Sequence, residues 1–344
     1  MGADNKSNLI KRKHRGQLQQ TLLNILQAPQ MVARVSEIVK SIFTKNSYKD
    51  TIFAISVLSA LDFSLKPSLI SEVAGNDEIY SSTLRSSEDF KSLVRIERGL
   101  VFARSSVFCL ALIRNHFVST YIVDQLLAIA KRMDTHDTSH QKGEVLKSLL
   151  RFSGVERLFP ERQRINNLVR YYEEVKRRVT WLKQDPHYWL QFGMALLAHD
   201  EYEKSQRMLT QAYEWAAKKN NYHTVHIDMQ QSRLYMKMSV KEEDATQSFK
   251  LFKKGVEFLR VIPDDVTKFK YLENVAPIFS AKFETFSSGQ QIEFIKTCQK
   301  MEQEMHAFIA RDGGSYGAER RLSDARTKLE GTISSGLKII KTVA

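Results

Sequence analysis

Between Pro186 and Ala217 the chain spaces its large and small residues as two closely packed antiparallel helices require. Trp189, Gly193, Tyr202 and Ala212 set the frame, and Asp200-Glu201 supplies a turn between two apolar stretches. Gly193 and Ala212 let the helix axes approach, while Trp189, Tyr202 and Leu209 fill the space around them. A segment with this pattern is committed to a stacked helical pair, and the rest of the chain must fold compatibly with it.

The spacing is that of the tetratricopeptide repeat. Its signature runs Trp, then Leu-Gly, then a large residue, then a small, a large and a final Ala, at a period of about 34 residues. Here Phe192 stands for Leu, Leu196 for Tyr and Ser205 for the first small Ala. A degenerate second unit is expected over 221–261, where Phe249, Phe252, Gly255 and Leu259 echo the second helix of the first. Such units bind protein segments. The predicted protein-binding residues, on the repeat surface and in its packing, are Trp189, Phe192, Gly193, Tyr202, Ala212 and Tyr213.

Fourteen glycines and six prolines in 344 residues predict few turns and long helices. No run of about 18 apolar residues occurs, so no membrane-spanning helix and no membrane partner are expected. The start, Met1-Gly2-Ala3-Asp4-Asn5-Lys6, lacks an apolar signal core. With only Cys109 and Cys298, a disulfide framework is excluded and a cytoplasmic location is expected. The net charge of +13 is uneven, because residues 1–50 hold nine Lys and Arg against Asp4, Glu37 and Asp50.

Residues 1–15 read as a disordered basic arm, solvated ahead of the first helix. Residues 16–47 read as an N-terminal helical segment, either one amphipathic helix broken at Pro29 or two short ones. Residues 48–104 are predicted to form a winged-helix-like domain: a strongly apolar helix over 51–63, a short one from Pro67, a third over 78–86, then a hairpin within 90–104 turning at Arg98-Gly99. Residues 105–182 read as a helical linker domain ending in a long charged helix over 162–182, 183–261 as tetratricopeptide-like repeats, and 262–344 as a C-terminal helical region that includes a helix over 266–279. The expected fold class is therefore mainly α, with one β-hairpin followed by a helical array.

A winged helix raises the question of DNA. Its third helix should offer Arg, Lys, Asn or Gln to base edges, yet this region holds Asp77, Glu78, Glu88 and Asp89 against Arg85. The alternative function is therefore nucleic-acid binding through the arm (Lys11, Arg12, Lys13, Arg15) and the wing (Arg95, Arg98, Arg104), by phosphate contact rather than base reading.

Candidate chemistry is weak elsewhere. Gly313-Gly314-Ser315-Tyr316-Gly317 matches the nucleophile-elbow letters, but a helix precedes it and no histidine follows it. His136, Asp137 and His140, and His223, His226 and Asp228, have metal-compatible spacing without cysteine support. No Gly is followed by Lys, so no P-loop exists. The expectation is a non-enzymatic protein without catalytic residues, metal or cofactor.

The order of parts nevertheless resembles a known family. Val101-Phe102-Ala103-Arg104-Ser105-Ser106-Val107-Phe108 leaves the hairpin, then come Leu146-Lys147-Ser148-Leu149-Leu150-Arg151-Phe152, Asp185-Pro186-His187-Tyr188-Trp189-Leu190-Gln191-Phe192-Gly193-Met194-Ala195 and Tyr202-Glu203-Lys204-Ser205. Over roughly residues 50–260 this resembles the C-terminal half of bacterial STAND-type NTPases, including antiphage-defence relatives. The resemblance implies a winged helix that docks on a nucleotide-binding module and repeats that sense a trigger. That module is absent here. The implied role is a regulatory or sensor part acting with an ATPase module in trans, or the downstream piece of a split gene.

Overall fold

The computed structural model describes residue 26 and residues 28–134, 140–311 and 316–343. The chain is mainly α-helical, with a single two-stranded antiparallel hairpin among the described residues, as expected. It forms two compact units, Met1–Lys183 and Gln184–Ala344.

In the first unit, α1 (Pro29–Ile42) leads into α2 (Asn46–Ala60). Ten of the 15 residues of α2 are buried, with Ile52, Phe53, Ile55, Val57 and Leu58 running round the helix. A helix apolar on all sides must be covered on all sides. Next come α3 (Pro67–Ala74), α4 (Ser82–Ser86) and α5 (Glu88–Leu93), the last two capped by the Ser81 and Ser87 hydroxyls. Strands β1 (Val94–Glu97) and β2 (Leu100–Ala103) pair Val94 with Ala103 and Glu97 with Leu100. Arg98 and Gly99 join them with φ of 49° and 77°. Two consecutive left-handed residues give the turn whose twist suits a tight hairpin.

The unit continues through α6 (Ser106–His116), α7 (Ser119–Met133), α8 (His140–Leu150), α9 (Phe152–Val155) and α10 (Arg164–Arg178). Helix α6 packs on α2, and α10 on α7. The last carbonyls of α8 have no partner within their helix. Buried Tyr171 and Tyr172 of α10 supply it, donating to Leu149 O and Leu150 O at 2.9 Å each.

The second unit begins with two antiparallel pairs, α11 (Pro186–Ala198) with α12 (Tyr202–Ala217), and α13 (Val225–Lys241) with α14 (Ala245–Val261). Asp185 caps α11 by accepting from Tyr188 N at 3.2 Å, and Pro186 occupies the first turn, where no N–H is needed. Short helices α15 (Val266–Lys270) and α16 (Val275–Lys282) precede a long pair, α17 (Ser288–Arg311) with α18 (Tyr316–Val343). Phe252, Phe283, Phe286 and Phe294 interlock at the centre of this core.

Several boundaries differ from the sequence reading. Phe90–Leu93 is helical rather than part of the hairpin, because Ser87 starts a helix that reaches the strand. The helix expected over 162–182 ends at Arg178, and a 3-10 turn, Thr180–Gln184, carries Trp181 outward to 49% exposure with its indole N–H on Asp134 at 3.0 Å. The segment expected as one helix over 266–279 is α15, a 3-10 turn (Tyr271–Asn274) and α16.

Candidate docking faces

The repeat residues come together, mostly as packing. Gly193 lies against α12, where an added Cβ would stand 3.1 Å from Leu209 Cδ2, and its carbonyl accepts from Ser205 Oγ at 2.9 Å. The second pair repeats the device with the partners exchanged: Ser232 Oγ of α13 donates to Gly255 O of α14 at 2.8 Å, and a Cβ on Gly255 would meet Met236 Cγ at 3.0 Å. Phe192 and Ala212 are buried, and Trp189 is only 8% exposed. These residues therefore form the core of the pair. Trp189 is no surface anchor, because ten of the 13 residues of α11 are buried.

Tyr202 and Tyr213 are half-buried. Tyr202 donates to Asp200 at 3.0 Å, and burial together with that carboxylate pushes its phenol up to about 12. Asp200 itself is held low, first by the hydrogen bond from Lys237 at 2.7 Å. Tyr213 donates to Asp228 Oδ1 at 2.7 Å and Thr224 donates to Oδ2 at 2.9 Å. That carboxylate thus ties α12 to α13, while His223 and His226 beside it are exposed.

Of the predicted nucleic-acid contacts, Lys11, Arg12, Lys13 and Arg15 lie outside the described residues, as do the Ser315 elbow and His136-Asp137. Arg95, Arg98 and Arg104 are exposed on or beside the hairpin. Arg95 pairs with Glu97 at 3.0 Å and lies over the Phe102 ring at 5.6 Å. Arg104 Nε donates to Ser92 O. The unit that carries them, Met1–Lys183, holds 29 Lys and Arg against 18 Asp and Glu, so nearly all the net charge resides there.

Among the described residues, cavities flank the hairpin. The first, about 490 Å³, lies between α1 and the hairpin's base, with a floor of Met31, Val35, Ile38, Leu93, Val107 and Phe108 and with Arg34 and Arg104 at its rim. A second, about 370 Å³, is lined by Lys91, Val94, Arg95, Phe102, Ala103 and Arg104. The third, about 400 Å³, lies on the other side of β2 and includes Leu65, Leu100 and Asp62. Arg34, Lys91 and the α1 stripe did not emerge as functional from the sequence. The spacing of Met31, Val35 and Ile38 was the available signal, but it reads equally as a face packed against the core.

The two thiols are buried, and burial pushes both upward, away from the reactive thiolate. Among the described residues, Glu302, His306 and Glu330 bring three ligand-type atoms within 4.8 Å of one another. Arg326 Nε stands 3.4 Å from that Glu330 carboxylate, a cation where a metal ion would compete. No helix among the described residues is long and apolar enough to cross a membrane. Family models, curated proteins and solved structures give no match to this chain.

Proposed function

We propose that this chain is a non-enzymatic regulatory or sensor module that works by binding protein partners, in the manner of the helical half of a STAND-type NTPase. The observation that carries this reading is the repeated helical pair. Both α11/α12 and α13/α14 close on a glycine whose carbonyl takes a serine hydroxyl from the opposing helix, at 2.9 and 2.8 Å. Repeats built this way are rigid supports that present side chains to other proteins. The winged-helix-like unit ahead of them serves as a docking domain, and its partner is an ATPase module supplied in trans.

The test is the nucleotide turnover of a purified STAND-type P-loop ATPase module, measured alone and with the purified chain added. A rate that depends on the added chain supports the reading. An unchanged rate, or turnover by this chain alone, overturns it.

The charge on Met1–Lys183 favours a second reading, nucleic-acid binding through the arm and the hairpin arginines. It predicts a steep loss of DNA affinity with salt. Affinity that is indifferent to salt, or that survives deletion of residues 1–15, counts against it.

A further inference from the structure

We propose that the face formed by α1 and the hairpin is a docking groove for an acidic amphipathic helix of a partner protein. This rests on the reading of the chain as a protein-binding module, and it places the binding in the first unit. The two adjoining cavities of about 490 and 370 Å³ share Arg104. Among the described residues, their linings contain four cations, Arg34, Lys91, Arg95 and Arg104, and no carboxylate. The floor of the larger is aliphatic along α1, where Met31, Val35 and Ile38 recur at helical spacing.

The surroundings argue the same way. Met31 in the larger cavity and Phe102 in the smaller are 37% and 40% exposed. Large apolar side chains gathered around a groove and rimmed by charge mark a surface that another molecule covers. The carboxylates bonded to two of the cations, Glu88 to Lys91 at 2.6 Å and Glu97 to Arg95 at 3.0 Å, form exposed pairs. Such pairs contribute little, so a ligand carboxylate replaces either at small cost.

The occupant is chosen by its chemistry. A nucleic acid offers phosphates to the rim but has no aliphatic groups for this floor, and base stacking needs free aromatic faces. Phe102 already has Arg95 over its ring at 5.6 Å. An amphipathic helix supplies both halves: apolar residues at i, i+3, i+4 and i+7 for the floor, and Asp or Glu on its flanks for the arginines.

The probe is a fluorescein-labelled peptide of about 15 residues with Leu at those four positions and Glu on the flanks. Two controls accompany it: an isomer of scrambled order, and a labelled single-stranded oligonucleotide of similar length. Anisotropy titrations use the full chain. The amphipathic peptide binds, and the scrambled isomer binds at least about tenfold more weakly. Arg34→Glu and Met31→Asp each weaken the amphipathic peptide by about tenfold or more. Arg320→Glu, the same charge change on an exposed residue of α18, leaves binding unchanged, and thermal melts verify that all three variants are folded.

Absence of peptide binding, equal binding of the scrambled isomer, or equal loss with Arg320→Glu overturns the groove. Displacement of the peptide by the oligonucleotide, sensitive to Arg34→Glu, overturns it in favour of a nucleic acid. The ATPase-rate assay reads the general function independently. If the peptide fails while the rate still responds, the groove alone is wrong.

Discussion

Tyr171 shows how a single residue can govern a helix end. Its hydroxyl is buried and donates to Leu149 O at 2.9 Å, at the terminus of α8. Tyr171→Phe leaves that carbonyl without a donor and is expected to cost about 1–2 kcal/mol, read from denaturant unfolding. Asp264 makes a comparable tie in the second unit, accepting from the buried Lys268 ammonium at 3.0 Å and from Arg311 at 2.6 Å. The Lys268 bond, then that of Arg311, hold its carboxyl below the ordinary range. A depressed carboxylate stabilises the fold above its unfolded-state value, and the contribution disappears as pH falls through the lower folded value. Asp264→Asn is therefore expected to cost about 1 kcal/mol at neutral pH, small because the carboxylate is partly solvent-screened. Wild type and variant should converge in strong acid. A gap that stays constant down to that range would exclude the ion pair as its source.

Helices began and ended where short-range chemistry was visible, and strayed where it was not. Asp185-Pro186 marks the start of α11 in the sequence and in the structure. The ends of α2 and α11 are less readable, because aspartates rather than glycines adopt the left-handed residue, Asp62 at φ 62° and Asp200 at φ 61°. In both, the next N–H reaches back to the helix, Phe63 to Leu58 O at 2.9 Å and Glu201 to Leu196 O at 3.0 Å. The closeness of α17 and α18 was not readable either, since a glycine in a helix does not reveal what it faces. A Cβ on Gly336 would stand 2.3 Å from Ile295 Cδ1, within the buried core, whereas nothing lies within 4 Å of one on Gly331. Alanine at both positions should act in opposite directions. Gly331→Ala stabilises by about 1 kcal/mol through helix propensity, and Gly336→Ala destabilises by about 1–2 kcal/mol as the packing cost exceeds that gain. Thermal melts of the two variants decide it; equal shifts of the same sign would show that α18 does not pack on α17 as described.

At the scale of the molecule, the two units differ in charge and in the kind of surface they present. The helical pairs were readable from Trp189, Gly193 and Ala212 because packing two helices leaves a repeating trace in the residues that touch. The groove beside the hairpin was not, because its cations come from α1, α5, β1 and the segment after β2, and only folding gathers them. The thiols offer a way to follow each unit separately. Cys109 is buried in the first and Cys298 in the second, and neither has a disulfide partner. Burial raises both, so a maleimide should label neither in the native protein. A compact unit with its own core can open on its own. Labelling across a denaturant series should therefore follow two separate transitions, assigned by Cys109→Ser and Cys298→Ser variants. A single shared midpoint for both cysteines would mean that the whole chain unfolds as one cooperative body. Rapid labelling without denaturant would place that thiol outside the core described.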